Sequence, residues 1–469
     1  MRTRPVVRMI TACWCAALLA CATGGMRPES LPKFDNIEDQ FKYGSVGIES
    51  EEGIPYWIWQ VLPRVFADKL PRPGGYGAFG FQWEPGRELP VGFSKVELFG
   101  GPRVAINCAF CHTTSVRTSE LAAPTLVAAG PGNQINPQAY VKFLQAVAAD
   151  PRFEADTLLT AMRGLTTLSW TERMRYRLLL IPATKRALQK QRRQYDWMYR
   201  NPEWGPGRID PFNPVKFGML ELPVDETIGN SDMVPIWNMR ARQGLALHWD
   251  GLSSSLREVV LSSALGDGAS RKSIQLPNLA RIEQWLLDVK PPAYPFPIDR
   301  ALADDGRSTF EQRCASCHAP GGARTGTVIP VEEVGTDRHR LDMWTPASPV
   351  AYNKFADGYA WDFTGFRKTA GYVAPTLDGV WLRAPYLHNG SVPSIQELLE
   401  PPSGRRSTFY RGYNVFDPSR VGFVSDGPAE RLGTRYDTSL PGNSNAGHLF
   451  GAALTPEQRR ALLEFLKTL

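Results

Sequence analysis

Cys108-Ala109-Phe110-Cys111-His112 and Cys314-Ala315-Ser316-Cys317-His318 write the same five-residue pattern, C-x-x-C-H, twice in one chain. The spacing has a physical reason. Thiols three residues apart lie on one side of a helical turn, where each can form a thioether with a haem vinyl group. The next residue turns its imidazole onto the iron. A structural zinc would need four ligands drawn from both pairs, and a thioredoxin-type C-x-x-C does not need His after each copy. Disulfides are the remaining alternative in an exported protein. Two copies, each followed by His, point to two covalently bound haem c groups, with Cys108, Cys111, Cys314 and Cys317 as attachment points and His112 and His318 as proximal iron ligands.

The rest of the chain sets the context. It has 469 residues, 43% hydrophobic and 21% charged, which excludes a disordered chain or a small disulfide scaffold and suits two or three domains. With 42 Gly and 39 Pro it should be loop-rich but packed. Arg2, Arg4 and Arg8 precede an apolar run, Met9 to Ala22, too short for a mature membrane helix and suited to a signal peptide over residues 1–20. Leu18-Leu19-Ala20-Cys21 resembles a lipoprotein processing site with Cys21 lipidated; an ordinary cleaved signal with Cys21 incidental is the alternative. Both place the body on the periplasmic side of a bacterial membrane, lipid-anchored or attached to the outer membrane. Cys13 and Cys15 leave with the signal, so no cysteine remains for a disulfide.

Between Arg163 and Arg200 basic residues far outnumber the acids Glu172 and Asp196. A solvated helical face accounts for this, and steering of an acidic partner or of anionic lipid is the functional alternative. No nucleic-acid motif accompanies it. The stiff stretch Pro291-Pro292-Ala293-Tyr294-Pro295-Phe296-Pro297 reads as a linker over about 291–300. It would separate an N-terminal haem domain (26–290, with a helical insertion at about 150–230) from a C-terminal cytochrome domain (301–469). Leu279, Ile282, Trp285 and Leu286 predict a helix over 277–289. Phe310 precedes the second motif on a helix opening that domain. Thr455, Pro456 and Gln458 start a final helix with Leu462, Leu463, Leu466 and Leu469 on one face. Strand-like alternation is scarce, so the expected fold is mainly α: two cytochrome c-type haem domains with long loops.

Around these motifs the chain resembles the bacterial di-haem cytochrome c peroxidase superfamily, which includes the tryptophan-tryptophylquinone-forming di-haem enzymes and the di-haem rubber oxygenases. Ala384-Pro385-Tyr386-Leu387-His388-Asn389-Gly390 is similar to the family's A-P-Y-[FL]-H-[DN]-G segment near the second haem, which implies that His388 sits beside that haem without ligating it. His448, in Gly447-His448-Leu449-Phe450-Gly451, falls where peroxidases carry a distal Met, implying a second haem ligated by His318 and His448. His248-Trp249-Asp250-Gly251 resembles an F-W-D-G segment whose Trp lies between the haems, implying Trp249 as electron bridge. His248 replaces the usual Phe and could face iron, a propionate or the interdomain seam.

Departures matter as well. The peroxidases place a Glu or Gln about twenty residues beyond the Trp, and Ala264 to Ser273 holds neither, which weakens peroxidase chemistry. No His or Met occurs from Thr113 through Ala161 to close the first haem, and Arg383 stands where a Thr is common near a calcium, leaving calcium doubtful. Phe41 to Gly47, Gly53 to Trp59 and Pro90 to Ser94 most resemble the rubber-oxygenase-like branch, which keeps its first haem ready for O2. The reading is thus an exported oxidoreductase with an open first haem for O2 or peroxide, a second haem relaying electrons, and a periplasmic electron donor or acceptor protein as partner. It touches the membrane through a lipid anchor only. Two alternatives stay open: a pure electron carrier, with His248 or Met219 closing the first haem, and a gas sensor without turnover. His339, beside Asp337 and Arg338, reads as a surface feature.

Overall fold

A computed structural model describes residues 34–98, 100–359 and 361–469. The signal segment and Cys21 lie outside the described residues. Among the described residues no helix is long and apolar enough to cross a membrane.

The first haem motif is delivered by a β-structure. Gly101–Ile106 is the central strand of a three-stranded antiparallel sheet, flanked by Ile54–Pro55 and Phe93–Leu98. Its last residue leads into Asn107, whose Oδ1 accepts the Ala109 N–H at 3.1 Å and so caps the short helix Cys108–Cys111. The same buried amide donates to the carbonyls of Lys42 and Gly44, at 3.2 and 3.1 Å, fastening the motif to the helix Ile37–Tyr43 and its end. Gly92, at φ +90°, lies so near the helix that a Cβ there would meet Phe110 Cα at 2.3 Å.

A helix delivers the second motif. Asp299 caps Arg300–Arg313, and Cys314 ends it. The final helix, Pro456–Leu466, carries the expected capping box between Thr455 and Gln458. The two helices cross at Gly306, where a Cβ would meet Ala461 O at 2.0 Å, and Phe310 packs on Phe465 with ring centres 5.0 Å apart. The helix expected over 277–289 is present as Leu276–Asp288.

The mainly α expectation is corrected. The chain is 41% helical and 12% strand, a mixed α/β fold with one three-stranded and five two-stranded sheets among the described residues. Its strands are two to six residues long, too short to show the alternation by which strands are recognised. Nor does the packing display two cytochrome units. One apolar core holds Phe41 and Leu279 together with Phe310, Trp381 and Leu462. The Pro-rich segment is built onto that core: Tyr294 meets Trp381 edge-on, and Trp381 Nε1 donates to Pro292 O at 3.2 Å.

The basic stretch forms Trp170–Arg175, a π-helical turn Tyr176–Leu180, and Ile181–Gln194. It buries Tyr176, Leu180, Ile181 and Leu188 in a second core around Trp59 and Phe93 and leaves Trp170, Leu178 and Leu179 exposed.

Candidate haem centres

None of the four motif cysteines is in a disulfide, and the described residues contain no group of three or more His, Cys, Asp or Glu able to hold a metal ion by themselves. Burial pushes the Cys108 thiol up to about 12 and the Cys314 thiol up to about 11.

Each motif histidine is oriented in the same way. His112 Nδ1 lies 2.9 Å from Val234 O and His318 Nδ1 lies 2.8 Å from Pro375 O. A carbonyl only accepts, so Nδ1 carries the proton in both rings and Nε2 keeps the free lone pair, the tautomer a metal-ligating imidazole needs. Burial holds His112 down at about 4 and lowers His318 too, keeping both rings neutral.

His318 faces a second imidazole. Its ring centre is 6.2 Å from that of His448, with the planes at 43°. Two imidazoles bound to one metal from opposite sides, each nitrogen about 2 Å from it, have ring centres about 6 Å apart. The separation matches that of two imidazoles sharing one iron. His448 is set there by its main chain: it adopts φ +52°, and its N–H donates to Val334 O at 2.7 Å. Gly447 before it, at φ +84°, approaches Gly335 so closely that a Cβ would meet Gly335 C at 2.5 Å. The buried Arg405 guanidinium donates to the carbonyls of Gly447, Glu400 and Leu398 at 2.9, 3.0 and 3.2 Å, clamping this loop from below. Burial lowers His448 to about 3, and its Nδ1 has no partner among the described residues.

The A-P-Y-L-H-N-G segment joins several parts of the fold. His388 stacks on Tyr372, ring centres 4.1 Å apart at 19°, and its buried Nε2 is unpartnered. Asn389 donates to Gly442 O and Ser444 O. Gly390 leaves room for a buried ion pair, Arg411 with Asp232.

Trp249 lies alongside Tyr372, Leu341 and Val331, and its Nε1 donates to Asp232 O at 2.7 Å. Next to it, Asp250 is buried against Arg340 at 3.1 Å. His248, at φ +63°, has its ring 5.6 Å from Phe212 and 6.3 Å from Phe366. Its Nε2 is buried and unpartnered, and burial, helped by the Arg340 charge, lowers it to about 4 against the pull of Asp250. His339, half-exposed at the start of the short helix His339–Met343, pairs with Asp337 at 2.9 Å.

Three groups escaped the sequence reading. Asp267, at the C-terminal end of the helix Leu256–Gly266, has a carboxyl pushed up to about 7 by burial, and its charge is felt by both Cys108 and Cys111. It lies within Ala264 to Ser273, where the resemblance calls for Glu or Gln, and an Asp in that stretch is the signal. Arg242 and Arg383 are buried together near Asp378, each with an Nε that has no acceptor among the described residues, and Arg383 acts on His318. Unfilled buried guanidinium donors beside a haem motif suit carboxylates such as propionates. The Asp232–Arg411 pair depends on residues far apart in sequence and has no local signal.

Comparison with known proteins bears on one stretch of this region. A family described as "RoxA-like, cytochrome c-like" matches residues 371–411, the stretch holding Tyr372, Pro375, His388 and Arg411. Uncharacterized protein y4iM of Sinorhizobium fredii is 30% identical over 296 residues, covering 53% of this chain and 66% of its own length. Uncharacterized protein y4iJ of the same organism is 29% identical over 257 residues, covering 40% of this chain and 42% of its own length. The chain thus spans less than two thirds of each relative. Over that stretch the match suggests a haem-based oxidoreductase and supports the rubber-oxygenase-like resemblance in part.

Proposed function

We propose that the chain is an exported di-haem c-type oxidoreductase with two unequal centres. Cys108, Cys111 and His112 would hold the first haem, open on its far side to O2 or peroxide. Cys314, Cys317, His318 and His448 would hold the second as a six-coordinate relay. The observation that carries this reading is the asymmetry between the histidines. His318 has an imidazole 6.2 Å across from it, and no described histidine ring stands in that relation to His112.

When bound, the haem groups supply one-electron chemistry and, at an open iron, binding of a small oxidant. The chain's own part is positional and electrostatic. His112 and His318 present neutral Nε2 atoms because Val234 O and Pro375 O take their protons in hydrogen bonds. Arg242 and Arg383 would receive carboxylates. Asp267, with its carboxyl held near neutrality, would store and release a proton beside the first centre. Trp249 would carry electrons between the centres, and a periplasmic protein would deliver or collect them. Cys21, lipidated, would tether the body to the membrane.

A second reading, electron carriage with both irons six-coordinate, draws on the buried, unpartnered Nε2 of His248. Low-temperature EPR of the oxidised, fully haem-loaded protein separates the two. One high-spin and one low-spin ferric signal are expected; two low-spin signals would favour the carrier and direct attention to His248.

A further inference from the structure

Four hydrogen bonds from separate parts of the fold join end to end. On the first side, His112 Nδ1 donates to Val234 O at 2.9 Å. Two peptide units back along the chain, Asp232 O accepts Trp249 Nε1 at 2.7 Å. On the second side, the main-chain oxygen of Trp249 accepts the Val373 N–H at 2.8 Å. Two peptide units onward, Pro375 O accepts His318 Nδ1 at 2.8 Å. Trp249 stands at the midpoint, with one three-residue segment on each side: Asp232-Met233-Val234 and Val373-Ala374-Pro375.

We propose that this path, running through the hydrogen-bonded Nδ1 edges of both proximal histidines with Trp249 at its centre, is the route by which electrons pass between the two haem irons. It rests on the reading of His112 and His318 as proximal ligands, and it differs from passage across the Trp249 ring from one porphyrin edge to the other. One electron leaves the iron between His318 and His448, which goes from ferrous to ferric, and arrives at the iron held by His112, which goes from ferric to ferrous. No bond forms or breaks, and each Nδ1 proton stays in its hydrogen bond. The electron enters the chain from an external one-electron donor protein.

The surroundings keep both limbs rigid. Asp232 lies in a strand paired with Arg208–Ile209, its N–H bonded to His388 O at 2.7 Å and its carboxylate held by Arg411. Val373 lies in a strand paired with Val328–Pro330, and its N–H points away from that partner, to Trp249 O. A hydrogen bond to Nδ1 also raises the electron-donating power of the ligated imidazole. Each limb thus ends on an atom electronically coupled to its iron.

The test uses the full chain loaded with haem, its two haems per chain first counted by pyridine haemochrome. In protein with the first iron ferrous and CO-bound and the second ferric, a laser flash removes CO and the electron re-equilibrates between the irons, so the optical transient reads the interhaem rate. Trp249→Phe keeps an aromatic ring and deletes the N–H donor; Val373→Pro deletes the other donor and leaves Trp249 untouched. Both should slow the transient severalfold while the EPR spin states stay as in the parent. An unchanged rate in Trp249→Phe with both haems in place overturns the route, since passage through the ring tolerates that change. If either variant loses haem or fails to fold, the other decides. Fewer than two haems in the parent chain would instead sink the functional reading beneath the route.

Discussion

Asn389 Nδ2 donates to the main-chain oxygen of Ser444 at 3.0 Å, tying the segment that carries His388 to the loop that carries His448. Together with the bond to Gly442 O at 3.2 Å, this side chain spans the turn leading to the second imidazole of the second centre. The distance between His318 and His448 is therefore set partly from outside the ligand loop.

Replacing Asn389 with Ala should leave both carbonyls without a buried donor, at a cost of about 1–3 kcal/mol. The loop should loosen, so a fraction of the second centre turns from low-spin to high-spin. EPR and thermal unfolding of the haem-loaded variant would show it. An unaltered low-spin signal with unaltered stability would mean Arg405 alone fixes the loop.

His112→Ala should abolish turnover with O2 or peroxide while the haem attached at Cys314 and Cys317 remains. Optical spectra would then keep the low-spin features of the His318/His448 centre. Turnover retained by this variant is incompatible with the first centre as the reactive one.

Asp267 gives a pH dependence with a definite sign. Its folded-state pKa of about 7 lies above its ordinary 3.8, so between these values the folded chain binds more protons than the unfolded one. Stability should therefore fall as pH rises through that window, by at most about 1.4 kcal/mol per pH unit, and the loss is complete above pH 7. Asp267→Asn should flatten this slope. If Asp267 also supplies a proton to the reaction, turnover in the parent should decline as pH rises through 7, and the variant should be slow at every pH. Denaturant midpoints and rates from pH 4 to 8 measure both.

Gly390→Ala should be severely destabilising. The glycine adopts φ +63°, and an added Cβ would meet Arg411 Nη1 at 2.0 Å and Asp232 Oδ1 at 2.7 Å. Prising apart this buried pair should cost about 3–5 kcal/mol. A fall in melting temperature with haem incorporation impaired is expected; a folded variant of parental stability would show that Arg411 relocates without cost.

What could be read from the sequence was what side-chain identity dictates. C-x-x-C-H names its own chemistry, and Thr455 with Gln458 writes the start of the last helix in two residues. The acceptors that orient His112 and His318 were invisible, because Val234 and Pro375 act through main-chain oxygens that any residue possesses. The small sheets escaped for a related reason: pairs such as Arg208 with Asp232 are created by loops meeting in space, without local periodicity. Asp267 was not legible because the resemblance calls for a longer acid or amide there, although a helix end can bring a shorter acid to the same neighbourhood.

His248 and His448 share a left-handed backbone, at φ +63° and +52°. Only glycine, asparagine and aspartate enter that region readily, and β-branched residues almost never do. These two positions are thus filtered twice, by what the ring does and by what the main chain permits. In a mutational scan Asn and Gly should be the substitutions that preserve the loops while emptying them of imidazole, whereas Val or Ile should displace the loop itself. Loss of a ligand and loss of a shape would then be separable at a single codon.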